Sequence, residues 1–176
     1  MSPLPLPRPR PTGLRRRLLL GFALAALALL IGAAPVNADF LDRVDYTLTN
    51  QNGADFHGQE LSETSFAGVE ARGSDFSGAD LHAAILTQGD FAQTDFSGAD
   101  LSDTLLDRAV FEGADFSGAL LRGVIASGSN FAGATVTGAD FSDAILDRAD
   151  RVDLCRRAEG TNPRTGVNTR VSLECG

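Results

Sequence analysis

Side chains that could do chemistry are few in this sequence, apart from carboxylates. Serines recur at positions such as Ser77, Ser97 and Ser117, while the only histidines are His57 and His82. A catalytic serine needs a base within hydrogen-bond reach in a pocket, and the pKa of that base must suit the reaction. These serines each follow a large apolar residue of a regular pattern, where a solvent-facing side chain is expected. We therefore predict no enzyme and no cofactor. Two histidines also argue against a zinc site.

Residues 1–38 differ in composition from the rest of the chain. They open with five arginines and no acidic residue, continue with the apolar run 18–34, and end with small residues at Val36 and Ala38. This order predicts a signal peptide that is cleaved between Ala38 and Asp39. The alternative is an uncleaved anchor, for which seventeen apolar residues lie at the short limit. The arginine cluster also looks like a twin-arginine signal, but the other motif positions are only partly met. The sequence therefore predicts export but does not identify the export pathway.

Cleavage would leave a strongly acidic chain. The full sequence has 15 basic and 23 acidic residues, so losing five arginines leaves 10 minus 23, a net charge of −13. Such a surface repels nucleic acid and anionic membranes. We expect neither as a partner, and membrane contact only through the signal peptide during export. The two cysteines, Cys155 and Cys175, are an even number in an exported chain and predict one disulfide.

A five-residue period runs through the predicted mature chain. Steps of five from Phe56 to Leu146 give nineteen positions, of which sixteen are Phe or Leu. Two residues before each lies a second position, and sixteen of those nineteen are Ala, Gly, Ser or Thr. Neither an α-helix nor a coiled coil sustains this spacing. The pattern predicts a coil with four sides of five residues, so that DFSGAD at 75–80 stacks on DFSGAD at 95–100 about 4.8 Å away.

The motifs ADFHG, ADLHA, ADFSG, ADLSD and ADFSD resemble the pentapeptide-repeat family over residues 54–148. The resemblance implies an all-β solenoid, a right-handed quadrilateral parallel β-helix. The tail, in which GTNPRTGVNTR lies between Leu154-Cys155 and SLEC at 172–175, is similar to the ending of exported pentapeptide-repeat proteins of cyanobacteria and the thylakoid lumen. That second resemblance implies a thylakoid-lumenal or periplasmic location.

Both ends of a solenoid expose strand edges and apolar interior, which must be covered. We expect an N-terminal cap over residues 39–53. Its apolar residues are Phe40, Leu41, Val44 and Tyr46.

A C-terminal cap carrying the disulfide is expected over residues 149–176, because Arg151 falls on a central position and breaks the apolar series. The sequence predicts a short helix over 149–158 and a turn at Asn162-Pro163. A second short helix, capped by Asn168 or Thr169, should end near Cys175.

Acidic residues precede the central positions in two rows, which we call the acidic ladders. The first contains Asp55, Asp75, Asp95 and Asp115, and the second contains Glu60, Asp80, Asp100 and Asp140. Stacked like charges repel, so the ladders require a reason. One interpretation is that aspartate bonds the turn backbone, as the family consensus also implies. Another is mimicry of DNA, since some cytoplasmic members of the family resemble a duplex and protect DNA gyrase. Predicted export opposes the second interpretation, and cation binding by the ladders stays open.

A third row, which we call the apolar row, consists of Ile85, Leu105, Ile125 and Ile145. Three interpretations are open. Branched residues favour strands, and single exposed apolar residues are ordinary. The tail could instead cover the row with Val167, Val171 and Leu173, or the row could be an interface.

These features together predict a non-catalytic structural or protein-interaction module exported to the thylakoid lumen or periplasm. The expected partner is an unidentified protein or a second copy of the chain, and the apolar row is the expected binding surface. The alternative function is a DNA-mimicking gyrase binder.

Overall fold

The computed structural model describes residues 44–176, and its first hundred residues form a parallel β-helix. A parallel bridge occurs every five residues and joins residues twenty apart, as in the series Asp55, Asp75 and Asp95. Backbone hydrogen bonds run both ways between turns: Phe76 N donates to Asp95 O at 2.7 Å, and Asp95 N donates to Ser74 O at 3.0 Å. Each strand is reduced to one bridge residue because the chain turns immediately after it. The predicted twenty-residue turn is therefore confirmed.

The bridge residues define four faces. Face A contains Asp45, Ser65, Ile85, Leu105, Ile125 and Ile145; face B contains Asn50, Glu70, Asp90, Val110 and Asn130; face C contains Asp55, Asp75, Asp95, Asp115 and Thr135; face D contains Glu60, Asp80, Asp100, Leu120 and Asp140.

The interior is filled by leucine side chains and by phenylalanine rings, most of which lie in two stacks, Phe56-Phe76-Phe96-Phe116 and Phe91-Phe111-Phe131. Phe96 stacks on Phe76 and Phe116 with ring centroids 5.3 and 5.1 Å apart, and its edge meets Phe111 of the second stack at 6.0 Å. These rings are completely buried. The second, small series fills the remaining space; where it holds a hydroxyl, as at Thr94, the hydroxyl bonds a carbonyl, here Ala71 O at 2.8 Å. The predicted core is confirmed.

The start of the coil differs from the prediction. Residues 45 and 50 already form bridges, to Ser65 and Glu70. Tyr46 occupies a central position, stacked on Phe66 at 4.7 Å and edge-on to Phe56 at 5.3 Å. The described part of the predicted N-terminal cap is thus the first part of the coil, because the five-residue series extends back from Phe56 to Tyr46. Residues 39–43 and the predicted signal peptide with its Ala38/Asp39 cleavage site lie outside the described residues.

Two short helices follow the coil. Helix α1 is Arg148–Cys155 and helix α2 is Thr169–Ser172. The side chain of Asn168 accepts a hydrogen bond from Arg170 N at 3.1 Å, as predicted for the second helix. Leu154 of α1 and Leu173 after α2 are buried in the same apolar cluster as the coil interior. Both helices therefore pack on the last turn, although α1 starts one residue earlier and ends three residues earlier than predicted.

The predicted disulfide between Cys155 and Cys175 is present, with Cα atoms 5.7 Å apart. It closes a loop that contains residues 159–168, which we call the strap. The strap folds back along the corner between faces C and D. Every turn has glycine at this corner, and a Cβ on Gly138 would lie 3.3 Å from Thr161 O. Glycine at this position therefore permits the close approach of the strap.

Candidate functional site

The apolar row lies on face A with its four residues in register. Ile85 bridges Leu105, Leu105 bridges Ile125, and the series ends at Ile145. Ile85 and Leu105 are each 36% exposed and Ile145 is 55% exposed, so the side chains point away from the interior. Three strand spacings make the row about 14 Å long. The structure thus brings all four predicted residues together in one line, in which Ile85, Leu105 and Ile145 are exposed and Ile125 is half-buried.

Charged residues border the apolar row on both sides. Asp103 and Asp143 lie at the corner before face A, and Asp107 and Arg108 lie at the corner after it. The carboxylate of Asp107 accepts a hydrogen bond from Ser127 N at 3.1 Å, so it is partly engaged by the coil. An apolar line with a charged border has the composition of a small docking surface, with an apolar centre and a polar rim.

The tail does not cover the apolar row. Val171, one of the residues expected to supply that cover, is 70% exposed, and Leu173 is buried in the apolar cluster at the end of the coil. The strap instead contacts face D and its corner, where Arg164 donates to Ala99 O at 2.8 Å. The interpretation of the tail as a cover for the row is therefore wrong.

The first acidic ladder is bound to the coil by its own backbone. Asp75, Asp95 and Asp115 each accept a hydrogen bond at Oδ1 from the amide two residues later, always at 2.8 Å. Asp55 does the same at 2.9 Å. Asn130 on face B makes the equivalent bond to Ala132 N with its neutral amide oxygen. The turn therefore needs an acceptor but not a charge, which supports the structural interpretation of the ladder.

The second acidic ladder is interrupted and partly covered. Leu120 replaces an acid in the middle of face D. Asp100 lies 3.9 Å from the guanidinium of Arg164, and Asp140 is completely buried beneath the strap. Face D is therefore not a continuous acidic surface when the strap is bound.

Four carboxyl groups have pKa values displaced by their surroundings; the pKa of Asp45 is lowered by hydrogen bonds from the hydroxyl and the amide of Thr47. The pKa of Asp75 lies below its ordinary value because the hydroxyl and amide of Ser77 donate to it. Burial is the largest single influence on the pKa of Asp140 and by itself would raise it. The hydrogen bonds from the hydroxyl and the amide of Ser142, with smaller contributions from Thr165 and Arg122, outweigh burial, so the pKa is lowered overall. The pKa of Asp150 is raised, first by burial and then by the neighbouring carboxylates of Asp147 and Asp153.

Sequence reasoning missed one pairing of reactive side chains. His57 Nδ1 lies 2.8 Å from Ser77 Oγ, because one turn separates residues 57 and 77. A nucleophilic serine would have to donate its proton to the histidine. Ser77 Oγ instead donates to Asp75 Oδ1, so His57 acts as the donor. The twenty-residue period, applied to the polar positions as well as the core, would have found this contact.

The remaining features of residues 44–176 are a small depression and scattered charged residues. A depression of about 150 Å³ at the C-terminal end of the coil contains Asp143, Arg151 and Glu174, and the last two form an ion pair at 2.7 Å. Within residues 44–176, no three His, Cys, Asp or Glu residues are placed to share a metal ion. No helix in that same range is long and apolar enough to cross a membrane.

The role of the first ladder can be tested with a triple substitution of Asp75, Asp95 and Asp115. Changing all three to Asn should leave the free energy of unfolding within about 1 kcal/mol, because the acceptor oxygen remains. Changing all three to Ala should cost about 1 kcal/mol for each lost hydrogen bond. Urea denaturation followed by circular dichroism measures both, and equal losses would contradict the structural role.

The same variants have a defined pH dependence. A carboxyl whose pKa is lowered on folding stabilises the protein above its unfolded pKa, near 3.8 for Asp75, and this stability is lost as pH falls through the lower folded value. The Asn variant should therefore lose less stability in acid than the wild-type protein does.

Several proteins of known structure are similar to this chain in sequence. No curated protein matches the sequence. Among solved structures, a pentapeptide repeat protein from the Arabidopsis thaliana thylakoid lumen is 30% identical, covering 84% of this chain and 99% of its own, with a TM-score of 0.29. HetL, a pentapeptide repeat protein involved in heterocyst differentiation regulation in the cyanobacterium Nostoc, is 22% identical over 61% of this chain and 64% of its own, with a TM-score of 0.38.

QnrB1, a plasmid-mediated fluoroquinolone resistance protein, is 21% identical over 60% of this chain and 73% of its own, with a TM-score of 0.33. The family model for pentapeptide repeats matches eight copies, over residues 52–88, 90–123 and 127–154. These matched segments make up more than half of the sequence and overlap most of the bridged coil, the last of them extending into helix α1. The chain therefore belongs to the pentapeptide-repeat family.

Proposed function

We propose that the protein is a non-catalytic interaction module, exported to the thylakoid lumen or periplasm, that docks a protein partner on the apolar row of face A. The observation that carries the proposal is the row itself, in which Ile85, Leu105 and Ile145 stay exposed in register on an otherwise acidic chain. Contiguous exposed apolar residues are unusual on a monomeric surface and commonly mark partner contacts.

The coil suits a docking role because its face is rigid before a partner arrives. Every turn is hydrogen-bonded to its neighbours and the interior rings are packed, so little conformational entropy is lost on binding. A row about 14 Å long is small for a standard interface, so the charged border must contribute to the contact.

The exported compartment is proposed from two features. Residues 1–38 have the composition of a signal peptide, and the tail carries the Cys155–Cys175 disulfide, a bond that persists in oxidising compartments. A gyrase-binding DNA mimic has weaker support, since the carboxylates of the first ladder bond the turn backbone and the second ladder lies partly under the strap.

The proposal is tested by the double substitution of Leu105 and Ile125 to Glu. The change should reduce partner capture or self-association at least tenfold, because it places two charges in the centre of the row. The coil should remain folded, since neither side chain reaches the interior. Capture is measured by photo-crosslinking and co-purification from the exported fraction, and self-association by sedimentation of the purified chain.

A matched control is available on face B, where Val110 and Asn130 occupy the same bridge position as Leu105 and Ile125. Changing both to Glu adds the same charge at the same height of the coil and should leave capture intact. Loss of capture in both double variants, or in neither, would refute the apolar row as the docking surface.

A further inference from the structure

The unsatisfied buried polar atoms of the described chain lie around the strap, not within it. Three buried side-chain polar atoms in residues 44–176 make no hydrogen bond of acceptable geometry: Asp140 Oδ2, Arg157 Nε and Thr169 Oγ1. All three lie in the C-terminal segment or directly beneath it. A buried polar atom without a partner costs free energy, and an ionised carboxylate costs most. The junction of the tail with the coil therefore carries a free-energy cost that the regular turns of the coil do not.

Specific contacts nevertheless fix the strap in one position. Asn162 is buried and donates to the carbonyls of Gly118, Ala119 and Gly138 at 2.9 to 3.1 Å. Gly138 N donates to Glu159 O at 2.8 Å, so the strap also completes the open edge of the last turn. Residues 161 and 168 form an antiparallel bridge that shapes the strap as a hairpin.

The far end of the strap is held by the disulfide together with a few contacts of the following helix: Leu173 is buried in the apolar cluster, Ser172 Oγ accepts from Phe141 N at 3.0 Å, and Arg170 donates to Cys155 O at 2.6 Å. Helix α1 is anchored to the coil by buried Leu154 and by Arg157, which donates to Phe131 O at 2.7 Å. Beyond the strap, the ion pair of Arg151 with Glu174 is solvent-exposed and contributes little. Cys155 therefore provides a fixed point to which Cys175 ties the tail. Both cysteines are half-buried rather than enclosed.

We infer that the strap is a redox-released cover of face D, held on the coil by the Cys155–Cys175 disulfide and freed when a dithiol reductant opens it. The thiolate of the reductant attacks one sulfur, and the other cysteine leaves as a thiolate. The second thiol of the reductant then displaces the first cysteine. Two electrons and two protons arrive at Cys155 and Cys175, and the reductant becomes a disulfide.

Release changes the surface that the coil presents. With the strap bound, Asp140 is buried and Asp100 faces Arg164. With the strap removed, face D becomes a continuous surface of Glu60, Asp80, Asp100, Leu120 and Asp140. The coil itself should not open, because most of its backbone hydrogen bonds join one turn to the next and only a few, such as Gly138 N to Glu159 O, reach the tail. Release of the strap thus uncovers the part of face D around Asp100 and Asp140 only under reducing conditions.

Hydrogen exchange of the mature chain with and without dithiothreitol tests this inference. The bond closes a loop with a sequence separation of 20, and its loss should increase local opening roughly 100-fold. Two coil amides are specific reporters because their acceptors lie in the tail: Gly138 N, bonded to Glu159 O, and Phe141 N, bonded to Ser172 Oγ. Both should exchange faster together with the strap. Phe96 N, bonded to Asp115 O within the coil, is the control and should not change.

The double substitution Cys155→Ser and Cys175→Ser provides the matched control, since this variant should exchange like the reduced protein and should not respond to dithiothreitol. A thiol assay on the folded protein verifies that the bond has opened. Three results would overturn the inference: a bond that resists the reductant in the folded protein, reporter amides unaffected by its opening, or Phe96 N accelerating as much as Gly138 N. The last result would show global unfolding and not release of the strap.

Discussion

Changing Phe96 to Ala is expected to lower the free energy of unfolding by about 4 kcal/mol, since the cost of truncating a buried phenylalanine is about 3 to 5 kcal/mol. Phe96 is completely buried at the middle of the coil and stacks on Phe76 below and Phe116 above. No other part of the molecule can fill the space, because the rings are fixed in register by the backbone bridges. The midpoint of thermal unfolding should fall by on the order of 10–20 °C.

Phe96 to Leu is the matched control, because leucine occupies the same central position naturally at Leu101 and Leu106. It should cost less than about 1.5 kcal/mol. Differential scanning calorimetry and urea denaturation measure both variants. If the alanine variant loses no more stability than the leucine variant, the stacked rings do not stabilise the coil, and the account of the core given above fails.

The coil was predictable from the sequence because a single five-residue period determines both which side chains face inward and which residues stack on each other. A fixed spacing of five decides which side chain faces inward, and four sides return the chain to its starting point. The register of Asp75 on Asp55 and of Leu105 on Ile85 then follows without further information. Even the contact of His57 with Ser77 obeys the same rule. At the N-terminus the prediction was wrong only about where the five-residue series begins, because it did not include Tyr46 as a central residue.

The path of the strap was not predictable in this way. Residues 159–168 have no period, and their position depends on contacts with residues far away in sequence. Asn162 reaches carbonyls more than twenty residues earlier, and Arg164 reaches Ala99. The repeated glycine at the corner between faces C and D was visible in the sequence, but the turn itself also favours glycine there, because φ is positive at 67° for Gly118 and 70° for Gly138. The sequence alone therefore could not show whether these glycines are needed for the positive φ of the turn or for the close approach of the strap.

The exposure of the apolar row has a simple physical cause. Outward bridge positions tolerate any residue that suits an extended backbone, and branched apolar residues suit it well. That preference explains one isoleucine but does not require four in register at the same face, since faces B and C carry mostly polar residues at the same position. If the strand preference alone explains the row, changing Leu105 and Ile125 to Glu should leave partner capture unchanged. The docking proposal expects partner capture to fall.

The second large effect is expected from changing Asn162 to Ala. Asn162 is only 1% exposed, and besides its three carbonyl acceptors its Oδ1 accepts from Arg164 N at 2.9 Å and Thr165 N at 3.1 Å. Truncation removes all of these bonds and leaves buried carbonyl and amide groups without partners, at a cost of about 3 kcal/mol in the stability of the strap. The disulfide should remain closed, so the strap loosens without leaving.

Two further substitutions identify the cause of that loss. Asn162 to Asp keeps the size and the acceptor oxygen but places a negative charge against three carbonyl oxygens, so it should be more damaging than Ala although it is nearly isosteric. Asn130 to Ala removes one exposed turn bond on face B and should cost no more than about 1 kcal/mol. Hydrogen exchange at Gly138 N reports the strap in each variant. If Asp is tolerated better than Ala, the donor bonds from Asn162 do not hold the strap, and its attachment must be assigned to Arg164 and the disulfide instead.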